Sequence, residues 1–362
     1  MMKWPNHGGQ PDTIKQLFKM EKDIEILDFS ANLNPLGPPS WLKEALRDSY
    51  DTITRYPEPA YSSSGVSLAN HEGIEKDSLL LTNGGAEAIF LVAKYFENKK
   101  ALIVHPTFLE YERACNHYHI DVEDVFFESE NEFQLPLKYI CEKLNKIDVI
   151  FLCRPNNPTG TVVKEEELQL LLEEGKKTGT SIVVDEAFVD FLPSSIPSLS
   201  KWLSTYSNLI LLRSLTKMYT IPGLRIGYIM AHPKIITVLK DEQIPWSINS
   251  MADAIVPKLL EDTTFVDDTK TWLKDQSQYV SKALTALDFY ISPSEANFYI
   301  LQDKMHLQRT NELFQFLLQH GIVTRHTHNF KGLNGEFIRI AIRSKEENEQ
   351  LLSVLRKWRN EL

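Results

Sequence analysis

The sequence predicts an α/β protein, with a large domain built on a mostly parallel sheet covered by helices and a smaller α+β domain after it. Three observations carry this reading. Short β-branched runs alternate with helical patterns from Leu79 to about Met230. Several of those runs, such as DVIFLC and NLILLR, are nearly all apolar, as strands buried on both faces must be. After Gln243 the alternation ends, and long helical patterns with a few late strands replace it.

Taken in order, the first forty or so residues are rich in Pro and Asn, and SANLNPLGPPS reads as an ordered loop. Strands are predicted at Leu79 to Thr82, Ala101 to His105, Asp148 to Cys153, Ser181 to Asp185, Leu209 to Arg213 and Gly227 to Met230. Between them, Glu87 to Glu97 and Lys164 to Lys177 carry apolar residues at helical spacing. The second places its acids first and its lysines last, which suits the helix dipole. From Gln243 a largely helical stretch runs through Leu287, followed by the strand-like ANFYIL, a helix near Leu307 to His320, two further strands and a closing helix. Ser344 and Glu347 have the spacing of a capping box at the start of that helix. The expected division is an amino-terminal arm over 1–45, a large domain over 46–243 and a small domain over 244–362.

Composition narrows the function. With 43% hydrophobic and 24% charged residues the chain is neither fibrous nor disordered. A net charge of −10 argues against general affinity for nucleic acid or anionic membranes, so any anion must be bound locally. No apolar stretch approaches the roughly 18 residues of a membrane span, and Met1 to Pro11 has no apolar signal core, which predicts a cytoplasmic protein. Cys115, Cys141 and Cys153 show neither a disulfide framework nor zinc spacing and read as small hydrophobes. His117 with His119, and His326 with His328, lack a third ligand, so no metal site is expected. Trp202, Trp246 and Trp272 read as packing residues.

The chemistry gathers at the carboxyl ends of the predicted strands, where open α/β sheets hold ligands. Asn83-Gly84-Gly85-Ala86 lies between a strand and an apolar helix, where small residues leave backbone N–H groups free for a phosphate. RPNNPTG after DVIFLC presents Asn157 from a proline-stiffened turn. Asp185 ends the apolar strand SIVVD, and a buried acid there needs a partner. Lys217 follows NLILLR with the hydroxyls of Ser214 and Thr216 just before it, and Arg225 comes eight positions later. An amine, an acid, an amide and a hydroxyl-plus-arginine cradle together suit a phosphorylated pyridine aldehyde. Lys217 would bond the aldehyde, Asp185 would pair with the ring nitrogen, and Asn157 would donate to the ring oxygen. Gly84, Gly85, Ala86, Ser214, Thr216 and Arg225 would hold the phosphate, and Phe108 would stack on the ring.

NNPTG, VVDEAF, RSLTK and PGLRIGY resemble the motifs of fold-type I pyridoxal-phosphate enzymes in the aspartate aminotransferase superfamily, over nearly the whole chain. The resemblance implies pyridoxal 5'-phosphate as cofactor. Within that superfamily His7-Gly8-Gly9, DFSANLNPLG, PWSIN and RIAIRS are similar to the L-threonine-O-3-phosphate decarboxylase family, which serves cobalamin side-chain synthesis. Phe188 fits as well, because aminotransferases usually carry tyrosine there. That likeness implies His7, Gly8, Asn32, Asn157, Arg325 and Arg339 as contacts to a phosphorylated amino acid. Arg339 would take its carboxylate, and Arg325 with the arm would lie nearer its phosphate. Tyr56, in RYPEP, resembles a tyrosine contributed to the cofactor phosphate by a partner subunit, which implies a homodimer with shared sites. Histidinol-phosphate aminotransferase, or an enzyme acting on O-phosphoserine, is the alternative. The phosphate loop reads Gly-Gly-Ala where these families commonly carry an acidic or hydroxyl side chain, which bears on cofactor affinity.

Overall fold

The computed structural model describes residues 4–20 and 25–361, so Met1 to Lys3 of the opening segment lie outside the described residues. Its strands are β1 (Leu27–Asp28), β2 (Leu79–Thr82), β3 (Lys100–His105), β4 (Asp121–Phe126), β5 (Val149–Cys153), β6 (Ser181–Asp185), β7 (Leu209–Ser214), β8 (Gly227–Ala231), β9 (Phe289–Ile291), β10 (Phe298–Asp303), β11 (Ile322–Val323), β12 (Arg325–His326) and β13 (Ile338–Ala341). Seven of them form one sheet in the order β2-β8-β7-β6-β5-β3-β4. Every pairing in it is parallel except the two made by β8, which runs against both β2 and β7. This is the mostly parallel sheet that the alternating pattern predicts.

The apolar runs behave as buried central strands. Val149 to Cys153 and Leu209 to Ser214 are buried at every position. Their two sets of side chains enter two cores, one including Leu152 and Leu211 and the other including Phe151 and Ile210. β4 does not follow that rule and escapes the sequence reading. It is an edge strand, and DVEDVF carries acidic residues at partly or fully exposed positions with only Val125 buried, as suits an edge.

The helices Gly84–Tyr95 and Glu165–Thr178 match their predicted segments to within a turn, the second closed by Gly179 in the left-handed region. The long late helical stretch is two helices, Ser250–Glu261 and Thr263–Ala286, because Asp262 caps the second through the Phe265 amide. The final helix, Lys345–Asn360, opens with the Ser344–Glu347 capping box.

A smaller antiparallel sheet, β12-β13-β10-β9, follows. The amino-terminal segment is stitched to this part of the molecule, since β1 pairs with β11 and Phe29 exchanges backbone bonds with Val323 and Ala341. The segment 30–37 beyond it is indeed an ordered loop. Asn34 donates to the Met218 carbonyl and to Thr269, and its backbone amide donates to the Lys217 carbonyl. Among the described residues no helix is long and apolar enough to cross a membrane.

Candidate active site

A cavity of about 390 Å³ opens where the carboxyl ends of β2, β3, β5, β6 and β7 face the small sheet and the amino-terminal arm. Its lining holds His7, Gly8, Asn32, Gly85, Ala86, Phe108, Asn157, Asp185, Ser214, Thr216, Lys217, Arg225, Arg325 and Arg339. Gly84 abuts it through Arg225. Tyr56 is not brought there. It is 82% exposed and its ring lies 5.0 Å from that of Trp246. Trp246 corrects an expectation. It is an exposed surface residue in a left-handed conformation, not a packing residue, because its indole meets Tyr56 outside the core.

Parallel strands place the carboxyl ends of five segments along one edge, which is why turns distant in sequence meet. Asp185 closes β6 and is buried. Its Oδ2 accepts from the Tyr111 hydroxyl at 2.7 Å and its Oδ1 from the Ala187 amide at 2.9 Å. Burial pushes this carboxyl up, and those two donors and the nearby Lys217 pull it back. Lys217 stands past β7 with Phe188 5.9 Å beneath its Nζ. Burial lowers its amine from 10.5 to about 8, and the Arg339 and Arg225 charges assist.

Arg225 reaches the same edge only because β8 runs antiparallel. The register sets Gly227, at the start of β8, beside both Thr82 and Ser214. A Cβ on Gly227 would stand 2.9 Å from the Gly84 carbonyl carbon and 2.7 Å from the Arg213 oxygen, so only glycine allows the strands this close. Gly84 has φ +71°, and a Cβ there would meet Arg225 Nη2 at 2.7 Å. The Gly84–Tyr95 helix thus begins beside an arginine, with no side chain capping its first amides. Ser214 and Thr216 are buried beside it, and the Thr216 amide donates to Ser214 Oγ at 3.3 Å.

On the opposite wall, Arg325 and Arg339 are register partners on β12 and β13. Both are buried. Arg339 donates to Asn157 Oδ1 and to the Ser30 carbonyl, each at 2.6 Å. Arg325 donates to the His326 and Asn6 carbonyls and to Asn329 Oδ1, and it also contacts His326 Nε2. No carboxylate among the described residues forms an ion pair with either guanidinium. Burial lowers Arg339 to about 9, assisted by the Arg325 charge, and burial lowers Arg325 to about 10. Asn32 Oδ1 and Arg339 Nε are buried without a hydrogen-bond partner.

The arm closes the remaining side. Trp4 stacks on His328 and packs at a tilt against His326, the Gly9 amide donates to Ser30 Oγ, and His7 lies 3.0 Å from the buried carboxylate of Glu110. Sequence reasoning missed Tyr111, Glu110, Gly227 and Phe330. Tyr111 carried one usable signal, its place three residues after Phe108 at the start of a helix, which turns both rings to one side.

These residues fit the phosphorylated pyridine aldehyde that the motifs suggest. A lysine with an accessible neutral form faces a buried acid, and uncapped helix amides stand beside an arginine. Residues 24–355 match the family described as aminotransferase class I and II. The chain belongs to that family. Within the aminotransferase class I and II family it is similar to the threonine-phosphate decarboxylase of Salmonella typhimurium, at 34% identity over 97% of this chain and 95% of the relative. Among solved structures it is similar to the histidinol-phosphate aminotransferase from Clostridium acetobutylicum, with a TM-score of 0.88 and 28% identity over 93% of this chain and 100% of that one. It is also similar to the L-threonine-O-3-phosphate decarboxylase from Porphyromonas gingivalis, with a TM-score of 0.79 and 26% identity over 91% of this chain and 98% of that one. Backbone likeness therefore spans both chemistries of this family, and the side chains must separate them.

Proposed function

We propose that this aminotransferase-family chain is a pyridoxal-phosphate-dependent carboxy-lyase. It converts O-phospho-L-threonine to (R)-1-aminopropan-2-yl phosphate and carbon dioxide, the reaction used in cobalamin side-chain synthesis. The observation that carries this reading is the buried pair Arg325 and Arg339, register partners whose hydrogen-bond acceptors are all uncharged. Like charges opposite one another on adjacent strands are destabilising. A substrate with two anionic ends, a carboxylate and a phosphate, relieves both. Histidinol phosphate has only one.

When bound, pyridoxal phosphate supplies an electron sink for the pair released as the Cα–carboxylate bond breaks. Lys217 holds the cofactor aldehyde and then moves a proton at the substrate Cα, a role suited to an amine near 8. Asp185 balances the charge of the ring nitrogen, and Asn157, whose Oδ1 is engaged by Arg339, keeps its amide N–H for the ring oxygen. Gly84, Gly85, Ala86, Ser214, Thr216 and Arg225 hold the cofactor phosphate, and Phe108 covers the ring. Arg339 orients the substrate carboxylate, with Asn32 beside it, and Arg325, His7 and Gly8 receive the phosphate and exclude water. Phe188 offers no hydroxyl to the ring oxygen, which leaves that contact to Asn157.

The same reading divides the chain into an arm over 1–45, a large domain over 46–243 and a small domain over 244–362. It makes the protein a homodimer in which the exposed Tyr56 reaches the cofactor phosphate of the other copy. Mixing inactive Lys217→Ala and Tyr56→Ala proteins tests the sharing, because hybrids that regain turnover require sites built from two chains.

The test of function is carbon dioxide release from L-threonine phosphate by cofactor-loaded protein, with L-serine phosphate and histidinol phosphate plus 2-oxoglutarate in parallel. Release without any keto acid is expected. Amino transfer that depends on the keto acid, with no gas, would instead assign the aminotransferase reaction.

A further inference from the structure

We infer that Tyr111 is the positioning residue for Asp185, its hydroxyl deciding over what pH range that carboxylate is charged and so able to hold the cofactor ring nitrogen. The inference rests on the cofactor reading above and adds a residue to it. Tyr111 is fully buried. Its hydroxyl donates to Asp185 Oδ2 at 2.7 Å, and its ring packs 5.7 Å from Phe151 and edge-on, 5.9 Å away, to Phe108. One side chain therefore links the acid beneath the ring site to the aromatic residue that covers it.

The direction of the effect follows from what surrounds the carboxylate. Burial favours the neutral acid, which cannot balance a protonated ring nitrogen. Among the described residues two donors oppose this through hydrogen bonds, the Ala187 amide and the Tyr111 hydroxyl. The titratable groups facing Asp185 are Tyr111 from the Glu110–His117 helix, Cys153 from β5 and Lys217 from the loop after β7. Burial pushes both the Tyr111 hydroxyl and the Cys153 thiol up, so both stay neutral while Tyr111 stays a donor. Among the described residues Lys217 is the one charged neighbour. Without the Tyr111 hydroxyl, Oδ2 faces a bare ring edge, and the carboxylate gives up its proton only at higher pH.

The experiment titrates apoprotein with pyridoxal phosphate, following tryptophan fluorescence, across the acid range below the pH of about 8 where Lys217 itself titrates. Wild type, Tyr111→Phe, Asp185→Asn and the double variant are compared as a cycle. Tyr111→Phe keeps the ring packing and removes one charge-assisted hydrogen bond. It is expected to move the acid-side loss of affinity to higher pH and to weaken binding there roughly tenfold. In the Asp185→Asn background the same change is expected to do nothing. An unmoved pH profile in Tyr111→Phe overturns the inference, as does equal weakening in the Asp185→Asn background, which would assign Tyr111 to packing alone. Wild type that fails to bind pyridoxal phosphate at any pH would overturn the cofactor reading itself.

Discussion

Arg339 reaches across the cavity from the small sheet to hold Asn157 Oδ1 at 2.6 Å, joining the wall proposed to meet the substrate to the turn proposed to meet the cofactor ring. The same guanidinium fixes the Ser30 carbonyl, so the arm, the large sheet and the small sheet converge on one side chain. Arg339→Gln should raise KM for L-threonine phosphate and lower kcat/KM roughly 10- to 100-fold, the worth of a charge-assisted hydrogen bond. Cofactor absorbance should persist. An unchanged KM, or loss of bound cofactor, would contradict the assignment to the carboxylate.

Lys217 gives a stability signature as well as a chemical one. Its amine falls from 10.5 to about 8 on folding, so between those values the unfolded chain binds more protons than the folded one. Stability of the apoprotein must then rise with pH across that window, and Lys217→Met should remove that part of the slope. Denaturant titrations of both apoproteins from neutral to alkaline pH check this. Turnover should be abolished in the variant, and retained turnover would sink the assignment.

Gly84→Ala places a methyl carbon 2.7 Å from Arg225 Nη2 at a φ of +71°. We expect a loss of about 1–2 kcal/mol from the left-handed backbone alone. A lower affinity for pyridoxal phosphate should accompany it as Arg225 is displaced. Gly85→Ala is the comparison, because its added carbon meets nothing within 4 Å. That variant should keep or raise the thermal midpoint, since alanine is the better helix former.

Glu110 holds the arm over the cavity through His7 at 3.0 Å. The bond to His7 is the chief cause that keeps this carboxyl below its usual range. The contact is therefore present above that depressed pKa and is lost as pH falls through it. Limited proteolysis of the arm should accelerate at acid pH in wild type and at every pH in Glu110→Gln. KM for the phosphorylated substrate should rise roughly 3- to 10-fold in the variant while cofactor affinity holds.

Much of the site was legible because its parts are short-range. An apolar strand, a turn with glycine or proline, and the polar residue just past it lie within a few positions of one another in sequence, as in SIVVD ending on Asp185 or NLILLR leading to Lys217. Parallel pairing then does the assembling, since strands running one way put all such residues on one edge. The edge strand β4 escaped notice because its acidic residues at edge positions blur the apolar signal.

The sequence by itself determined the sheet, the identities of the lysine, acid, amide and arginines, and their likeness to pyridoxal-phosphate enzymes. Only the tertiary structure decided which groups touch. The antiparallel return of β8 set Arg225 against Gly84, and the register of β12 with β13 set two arginines face to face. Packing likewise brought Tyr111 under Asp185, 74 positions away, and Arg339 against Ser30, 309 positions away. The physical reason is range. Turn chemistry and side-chain periodicity act over a few residues and can be read along the chain. Burial and hydrogen-bond partnership depend on which distant surfaces exclude water together, and that is settled only when the strands have chosen their neighbours.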